Sequence, residues 1–299
     1  MAGQYIFSMQ DLLELKAKLD LMNQDYKFFN YKIPCLLNGR IKELTCCVLI
    51  TIENDNDITF YIPPETEILM FSATEFDDKL GALDLDKQNM KTAYVAPFVI
   101  SALGNKTYFS NITLLGGEGL ISCREMFYQT DFNIVDLRMF RPINSIDFES
   151  MFEYAKIEQL KIDGMQTTNA KSMRKMFKNC SVTSISKLDI DTSKVEDMEA
   201  MFVGANFNCD LDLSSFNTSH VKEVRYMFQY MSCCNIDLSS FSFESILTDR
   251  IEHLHVFDGT KISYKSKLKS NDPKFNDYMI NMITRAKNRN QTSSLIINS

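Results

Sequence analysis

Ala170-Lys171-Ser172-Met173-Arg174-Lys175-Met176-Phe177 decides how this chain is read, because its outline returns. It comes back as Val195-Glu196-Asp197-Met198-Glu199-Ala200-Met201-Phe202 and again as Val221-Lys222-Glu223-Val224-Arg225-Tyr226-Met227-Phe228. Upstream, Met126-Phe127 and Met151-Phe152 carry the same pair, and successive pairs lie 25, 25, 25 and 26 residues apart. A fixed period of that size marks a stack of supersecondary units, none of which can bury its apolar residues alone. Within each unit apolar residues recur every third position: Ala170, Met173, Met176, then Val195, Met198, Met201, then Val221, Val224, Met227. That period predicts a tight helical or 3₁₀-like turn. The third residue after the Phe is small in Thr130, Ala155, Cys180 and Ala205, with Met231 the exception, which lets neighbouring coils approach closely.

Between the pairs lie apolar-x-apolar triplets: Val135-Asp136-Leu137, Leu160-Lys161-Ile162, Leu188-Asp189-Ile190, Leu211-Asp212-Leu213 and Ile236-Asp237-Leu238. Such alternation predicts one short strand per coil with one buried face, stacked as a parallel ladder. In the third unit the triplet is displaced by three residues, with extra chain before it near Ile185-Ser186-Lys187; the period survives because the change falls in a loop. The last unit degenerates, with Val256-Phe257 standing 29 residues after Met227-Phe228. Asp272-Pro273 then opens a helix lined by Phe275, Met279, Met282 and Ala286, a C-terminal cap.

Ahead of the array, Ser8 and Asp11 start a helix over about 8–24, with Leu12, Leu15, Leu19 and Met22 on one face. Tyr31–Leu37, Lys42–Glu53 and Ile58–Ile62, punctuated by Asn38-Gly39 and by Asn54-Asp55-Asn56-Asp57, read as a three-stranded meander that this helix can cover. Ile68–Phe71 and Tyr94–Ile100 are further candidate strands around an acidic stretch, Glu75–Asp86. The fold expected is α+β. Residues 1–110 form a small N-terminal domain or enlarged cap, 111–260 a leucine-rich-repeat-like solenoid of five to six coils, and 261–299 a basic C-terminal cap helix and tail.

Leu211-Asp212-Leu213-Ser214-Ser215-Phe216-Asn217-Thr218-Ser219-His220-Val221, with Met227-Phe228 after it, resembles the BspA-type leucine-rich repeat of mycoplasma and other bacterial surface proteins. Asp237-Leu238-Ser239-Ser240-Phe241 and Asp191-Thr192-Ser193-Lys194-Val195 carry other parts of that pattern. The resemblance covers about residues 120–257. It implies a solenoid used for protein binding and adhesion.

Composition narrows the work such a scaffold does. The chain is 45% hydrophobic with a net charge of −7, which argues against a nucleic-acid coat. The charge is uneven. Residues 261–299 hold eight Lys/Arg, among them Lys261, Lys265, Lys267, Lys269, Lys274 and Arg285, against Asp272 and Asp277. This is a net of +6, and it leaves −13 on the remainder. A basic segment of that kind keeps a nucleic-acid role through 261–289 open as an alternative. The N-terminus lacks a basic-then-apolar leader, and Cys46–Ile52 and Val95–Leu103 are too short to span a bilayer. The expected setting is therefore cytoplasmic, the host cytoplasm for a viral source, with no membrane contact.

For the site, the strand triplets should turn their middle residues outward. Asp136, Lys161, Asp189, Asp212 and Asp237, followed by Arg138, Asp163 and Asp191, make the expected partner-binding ladder, where stacked carboxylates would welcome a basic or amide-rich partner. The plainer reading is that Asp in this slot bonds to local backbone. No catalytic residues are expected: GxSxG, HExxH and paired-carboxylate motifs are missing, and only His220, His253 and His255 are available for proton transfer. Gly116-Gly117-Glu118-Gly119 lacks the Lys-Ser/Thr of a phosphate loop and reads as a tight turn entering the first repeat. His253, His255, Cys233 and Cys234 match no zinc spacing, so neither metal nor cofactor is expected, and Cys180 reads as core. The function expected is a non-catalytic protein-binding module, a cytosolic effector or phage-type inhibitor that blocks a host protein complex, with self-association through the N-terminal domain as one further contact. A BspA-type surface adhesin is the alternative.

Overall fold

The computed structural model describes residues 8–24, 26–37, 40–54, 57–69, 110–246, 254–263, 265–288 and 296–298. The hairpin tip at 38–39, the turn at 55–56, the candidate strand 94–100, the acidic stretch 75–86 and His253 lie outside them. Helix α1 (Met9–Met22) opens on a capping box in which the Ser8 hydroxyl accepts from the Asp11 N–H while the Asp11 carboxylate accepts from Ser8. Strands β1 (Tyr26–Leu37), β2 (Arg40–Asn54) and β3 (Asp57–Ile62) form the meander, antiparallel throughout. Leu12 and Leu19 of α1 pack on Cys47 and Leu49, so the helix covers one face of it.

The meander is the first wall of the solenoid. β3 runs parallel to β4 (Asn111–Gly116), in register from Asp57↔Asn111 to Ile62↔Gly116. From there β5 (Asp131–Phe140), β6 (Lys156–Lys161), β7 (Ser181–Ile185) and β8 (Asn206–Phe207) add parallel rungs, giving one eight-stranded sheet in sequence order. The glycine turn after β4 is needed by close approach. A Cβ on Gly116, at φ +82°, would stand 2.1 Å from the Ile62 carbonyl oxygen, and the next N–H, of Gly117, donates to that oxygen.

The strands shorten along the array, through 10, 6, 5 and 2 residues. Beyond β7 the ladder divides. One row continues through β8 to bridges at Ser232 and Lys261; the other is β9 (Leu211–Asp212) beside β10 (Ile236–Asp237), followed by a bridge to Lys267. The ladder therefore runs past the boundary expected at 260. β11 (Lys261–Ser263) pairs in parallel with β12 (Ile296–Asn298), and helix α2 (Pro273–Asn288) closes the end.

Two strand expectations are corrected. The third coil's strand is β7, not Leu188-Asp189-Ile190. Strand position is set by the distance from the preceding Met-Phe pair, so Ser181 falls beside Lys156 and Ile185 beside Leu160. Leu188 and Ile190 are buried in irregular chain, where Leu188 takes the place held by Leu213 in the next coil. Ser215 bonds to the Leu188 carbonyl as Ser240 does to that of Leu213. Second, the triplets are not equivalent strands: Val135-Asp136-Leu137 lies inside a long strand, whereas the last two triplets each keep only two strand residues.

The core is one column of apolar side chains. Phe127, Phe152, Phe177, Phe202, Phe228 and Phe257 stack nearly face to face, with centroids 5.2, 5.1, 5.4, 5.4 and 5.0 Å apart. Val256-Phe257 thus fills the Met-Phe slot of the degenerate coil. That spacing is close to the rung separation of a sheet, so the ring column and the backbone ladder share one repeat. Buried Thr167, Thr192 and Thr218 form an internal seam, each hydroxyl donating to a carbonyl one coil on, at Asp191, Asn217 and Ser242. The seam ends on Asp272, whose carboxylate accepts from the Phe243 N–H and from the Lys274 N–H at the start of α2.

Candidate interaction surface

The turn side of each coil is built differently from the helical or 3₁₀ turn that the period of three suggests. Bonds from alternate residues to the carbonyl three back are present, as in Met126 to Cys123, Tyr128 to Glu125 and Thr130 to Phe127. They close linked β-turns, because two positions in every coil are left-handed. Glu125, Ser150, Lys175, Ala200, Tyr226 and His255 precede the pair, and Gln129, Tyr154, Asn179, Gly204, Tyr230 and Gly259 follow it. A positive φ at the third turn residue is the mark of type II geometry. It also turns alternate N–H groups toward the next coil: Lys175 donates to Glu199, Phe177 to Met201 and Asn179 to Val203. Every second amide therefore ties coil to coil and every other one closes its own turn.

This side carries a column of charge. Two residues before each Met stand Arg124, Glu149, Arg174, Glu199 and Arg225, alternating in sign. Glu149 takes Arg124 from one side and Arg174 from the other, the latter at 3.0 Å; Glu199 takes Arg174 at 3.2 Å and Arg225 at 3.6 Å. Burial alone would lower the Arg174 pKa, but Glu199 and Glu149 outweigh it and raise it. The residues two positions earlier, Ser122, Asp147, Ser172, Asp197 and Glu223, bridge coil to coil. Asp147 and Asp197 also accept from the N–H two residues on. Burial raises the pKa of Asp197 and of Glu125. The signal for this column was in the sequence all along, as opposite charges at the repeat spacing. A search for outward strand residues passes over it.

The strand side holds the residues expected to form the ladder, and they divide into two groups. At one end Asp136 and Arg138 form an ion pair at 2.6 Å, Lys161 pairs with Asp136 in the register, and Asp163 adds its field to Arg138. Burial pushes the Asp136 carboxyl up, but Arg138 outweighs it and holds it below the usual range. At the other end Asp212 and Asp237 line a groove of about 270 Å³ with Asp210, Asn235, Lys265 and Lys267. Ser214 holds Asp212 low through its hydroxyl and N–H. Asp237 is raised by burial but held low overall by Lys267, at 2.6 Å, and by Ser239. Between the groups, Asp189 is exposed beside Lys187 and Asp191 accepts from the Ser193 N–H. The picture of stacked, mutually repelling carboxylates is thereby corrected: arginine, lysine and backbone N–H groups already offset most of them.

The basic segment is partly absorbed into the fold. Lys267 is the rung after Asp237, and Lys274 donates to the Ile246 carbonyl. Lys261, Lys265 and Lys269 are exposed, and the Arg285 side chain lies outside the described residues. Cys180 is buried, as are Cys46, Cys47 and Cys123. Burial raises the Cys180 thiol and pushes Cys123 up to about 12. His255 stacks on Tyr226 and faces Asp258 at 2.6 Å. Among the described residues, no group of three or more His, Cys, Asp or Glu is placed to hold a metal ion, and no helix is long and apolar enough to cross a membrane.

Fold and surface define a β-solenoid repeat protein, with a charge-paired, repeating turn side and a polar strand side that varies from rung to rung. Its family follows from the sequence profile of DUF285, described as "Mycoplasma protein of unknown function", which matches over residues 103–189, 146–267 and 183–295. The chain belongs to that family. Comparison with curated proteins and with solved structures gave no match.

Proposed function

We propose that the chain is a non-catalytic protein-binding module whose partner lies along the strand side of the solenoid. One observation carries this reading: the turn side repeats itself coil after coil and pairs its charges within itself, whereas the strand side changes its side chains at every rung. Asp131, Asn133, Lys156, Glu158, Gln159, Thr183, Ser184, Asn206 and Asn208 all face solvent on consecutive rungs. Solenoids bind through extended surfaces of this kind. The resemblance to BspA-type leucine-rich repeats, which serve protein binding and adhesion, supports the same use. A cytosolic effector that blocks a host protein complex and a surface adhesin would share this face and differ in compartment, which fractionation of producing cells distinguishes.

The test is affinity capture with the full chain as bait, followed by mass spectrometry. The triple variant Lys156→Glu, Glu158→Lys, Gln159→Ala should melt like the parent and lose the captured protein. Tyr154→Ala, on the turn side, should keep it. Equal capture by the strand-side variant, or no captured protein at all, would refute the reading.

A further inference from the structure

Three cysteines meet where the ladder divides. Cys209 stands between β8 and β9, and Cys233 and Cys234 occupy the corresponding stretch one coil later. The Cys234 N–H donates to the Cys209 carbonyl at 3.1 Å. One residue on, the Asn235 amide donates to the Asp210 carboxylate at 2.7 Å, and two residues on Ile236 pairs with Leu211. Neighbouring positions of two coils therefore run side by side at a ladder spacing of about 4.8 Å. A disulfide takes Cα separations of about 4.4–6.8 Å, so adjacent rungs suit one. Cys233 and Cys234 are consecutive, and the roughly 3.8 Å between their Cα atoms falls below that window.

Exposure orders the three thiols. Cys234 is exposed, Cys209 and Cys233 are half-buried, and Cys46, Cys47, Cys123 and Cys180 are buried. Burial raises the Cys209 thiol and pushes Cys233 up to about 12, with the neighbouring thiols acting in the same direction. Cys234 is the one placed to meet a reagent from solution.

We propose that Cys234 and Cys209 form a thiol–disulfide exchange site that takes small disulfides of the glutathione type. The Cys234 thiolate attacks one sulfur of the small disulfide. The sulfur–sulfur bond breaks, one small thiolate leaves and takes up the proton that Cys234 gave. Cys209, one rung below, then attacks the Cys234 sulfur, the mixed disulfide breaks, and the second small thiolate leaves with the proton from Cys209. Two protein thiols are oxidised and one small disulfide is reduced to two thiols. Neighbouring placement offsets the weak acidity of Cys209 in the second step. The bridge would tie the β9 and β10 coils together where the strands are shortest.

The test uses the full chain, reduced and then incubated with oxidised glutathione, with free thiols alkylated before intact-mass and peptide analysis. Against the reduced protein alkylated in the same way, the wild type should carry two fewer alkyl groups and give a Cys209–Cys234 cross-linked peptide. The bridged protein should melt at a higher temperature than the reduced one, a difference erased by dithiothreitol. Cys209→Ser should retain one glutathionyl group on Cys234, Cys234→Ser should take up none, and Cys233→Ser should behave as the wild type. A bridge through Cys233, a lasting glutathionyl adduct on the wild type, an intermolecular dimer or an unmodified protein would each overturn the assignment.

Discussion

The two sides of each coil obey different rules. On the turn side the rungs are nearly copies: a Phe on a Phe, a carboxylate between two guanidiniums, left-handed residues at fixed places. On the strand side the rungs differ in length and in side chain, and the ladder splits. The repeated side holds the stack together. The varied side depends less on any one residue, which leaves its sequence free to change.

The sharpest way to break this contrast is Phe177→Ala, in the middle of the ring column. It should cost about 3–5 kcal/mol by lost burial and an unfilled cavity, while Glu158→Ala on the strand side should stay within about 0.5 kcal/mol. Urea titration of both variants checks this, and equal losses would erase the distinction. Next in size is Arg174→Ala, which strips the shared cation from Glu149 and Glu199. After discounting for solvent, about 1–2 kcal/mol should be lost. In a double-mutant cycle with Glu199→Ala the two changes should not add.

A smaller effect, of opposite sign, is expected at Lys175, which sits at φ 55°. Lys175→Gly should stabilise by about 0.5–1 kcal/mol by relieving the left-handed strain, as thermal melts would show. The smallest effect is with pH. Asp136, Asp212 and Asp237 have folded pKa values below the ordinary 3.8, so the stability they add is present above that value and fades as pH falls through their folded values. Glu125 and Asp197 are shifted upward and act in the opposite sense: the stability they add is present in acid and is lost as pH rises through their folded values. The stability difference between the wild type and Asp212→Asn should therefore narrow as pH falls from about 5 toward about 3, as melts at each pH would show.

Much of this was legible in the residues. The Met-Phe spacing announces the stack, Ser8 and Asp11 announce α1, and Asp272-Pro273 announces α2. The geometry of the turn was not, because a period of three fits a 3₁₀ helix and a chain of β-turns alike. The deciding feature is backbone handedness, and only Gly204 and Gly259 advertise it; Lys175, Tyr154 and Ala200 do not. The charge column was hidden for another reason. Arg124 and Glu149 are unremarkable alone and become a pair only when two coils are superposed. Nor does local patterning show that Asp57–Ile62 would lie beside Asn111–Gly116, since that contact spans about fifty residues of chain.

The ring column also constrains how such a gene could change. A single inserted residue inside the Met-Phe turns would drop one Phe out of line, while gain or loss of a whole 25-residue unit would leave the column whole. The steps of 26 and 29 residues to Phe228 and Phe257 add one and four residues to the period, and both rings keep their place in the column. Natural length variants of this solenoid are therefore expected to differ by entire coils.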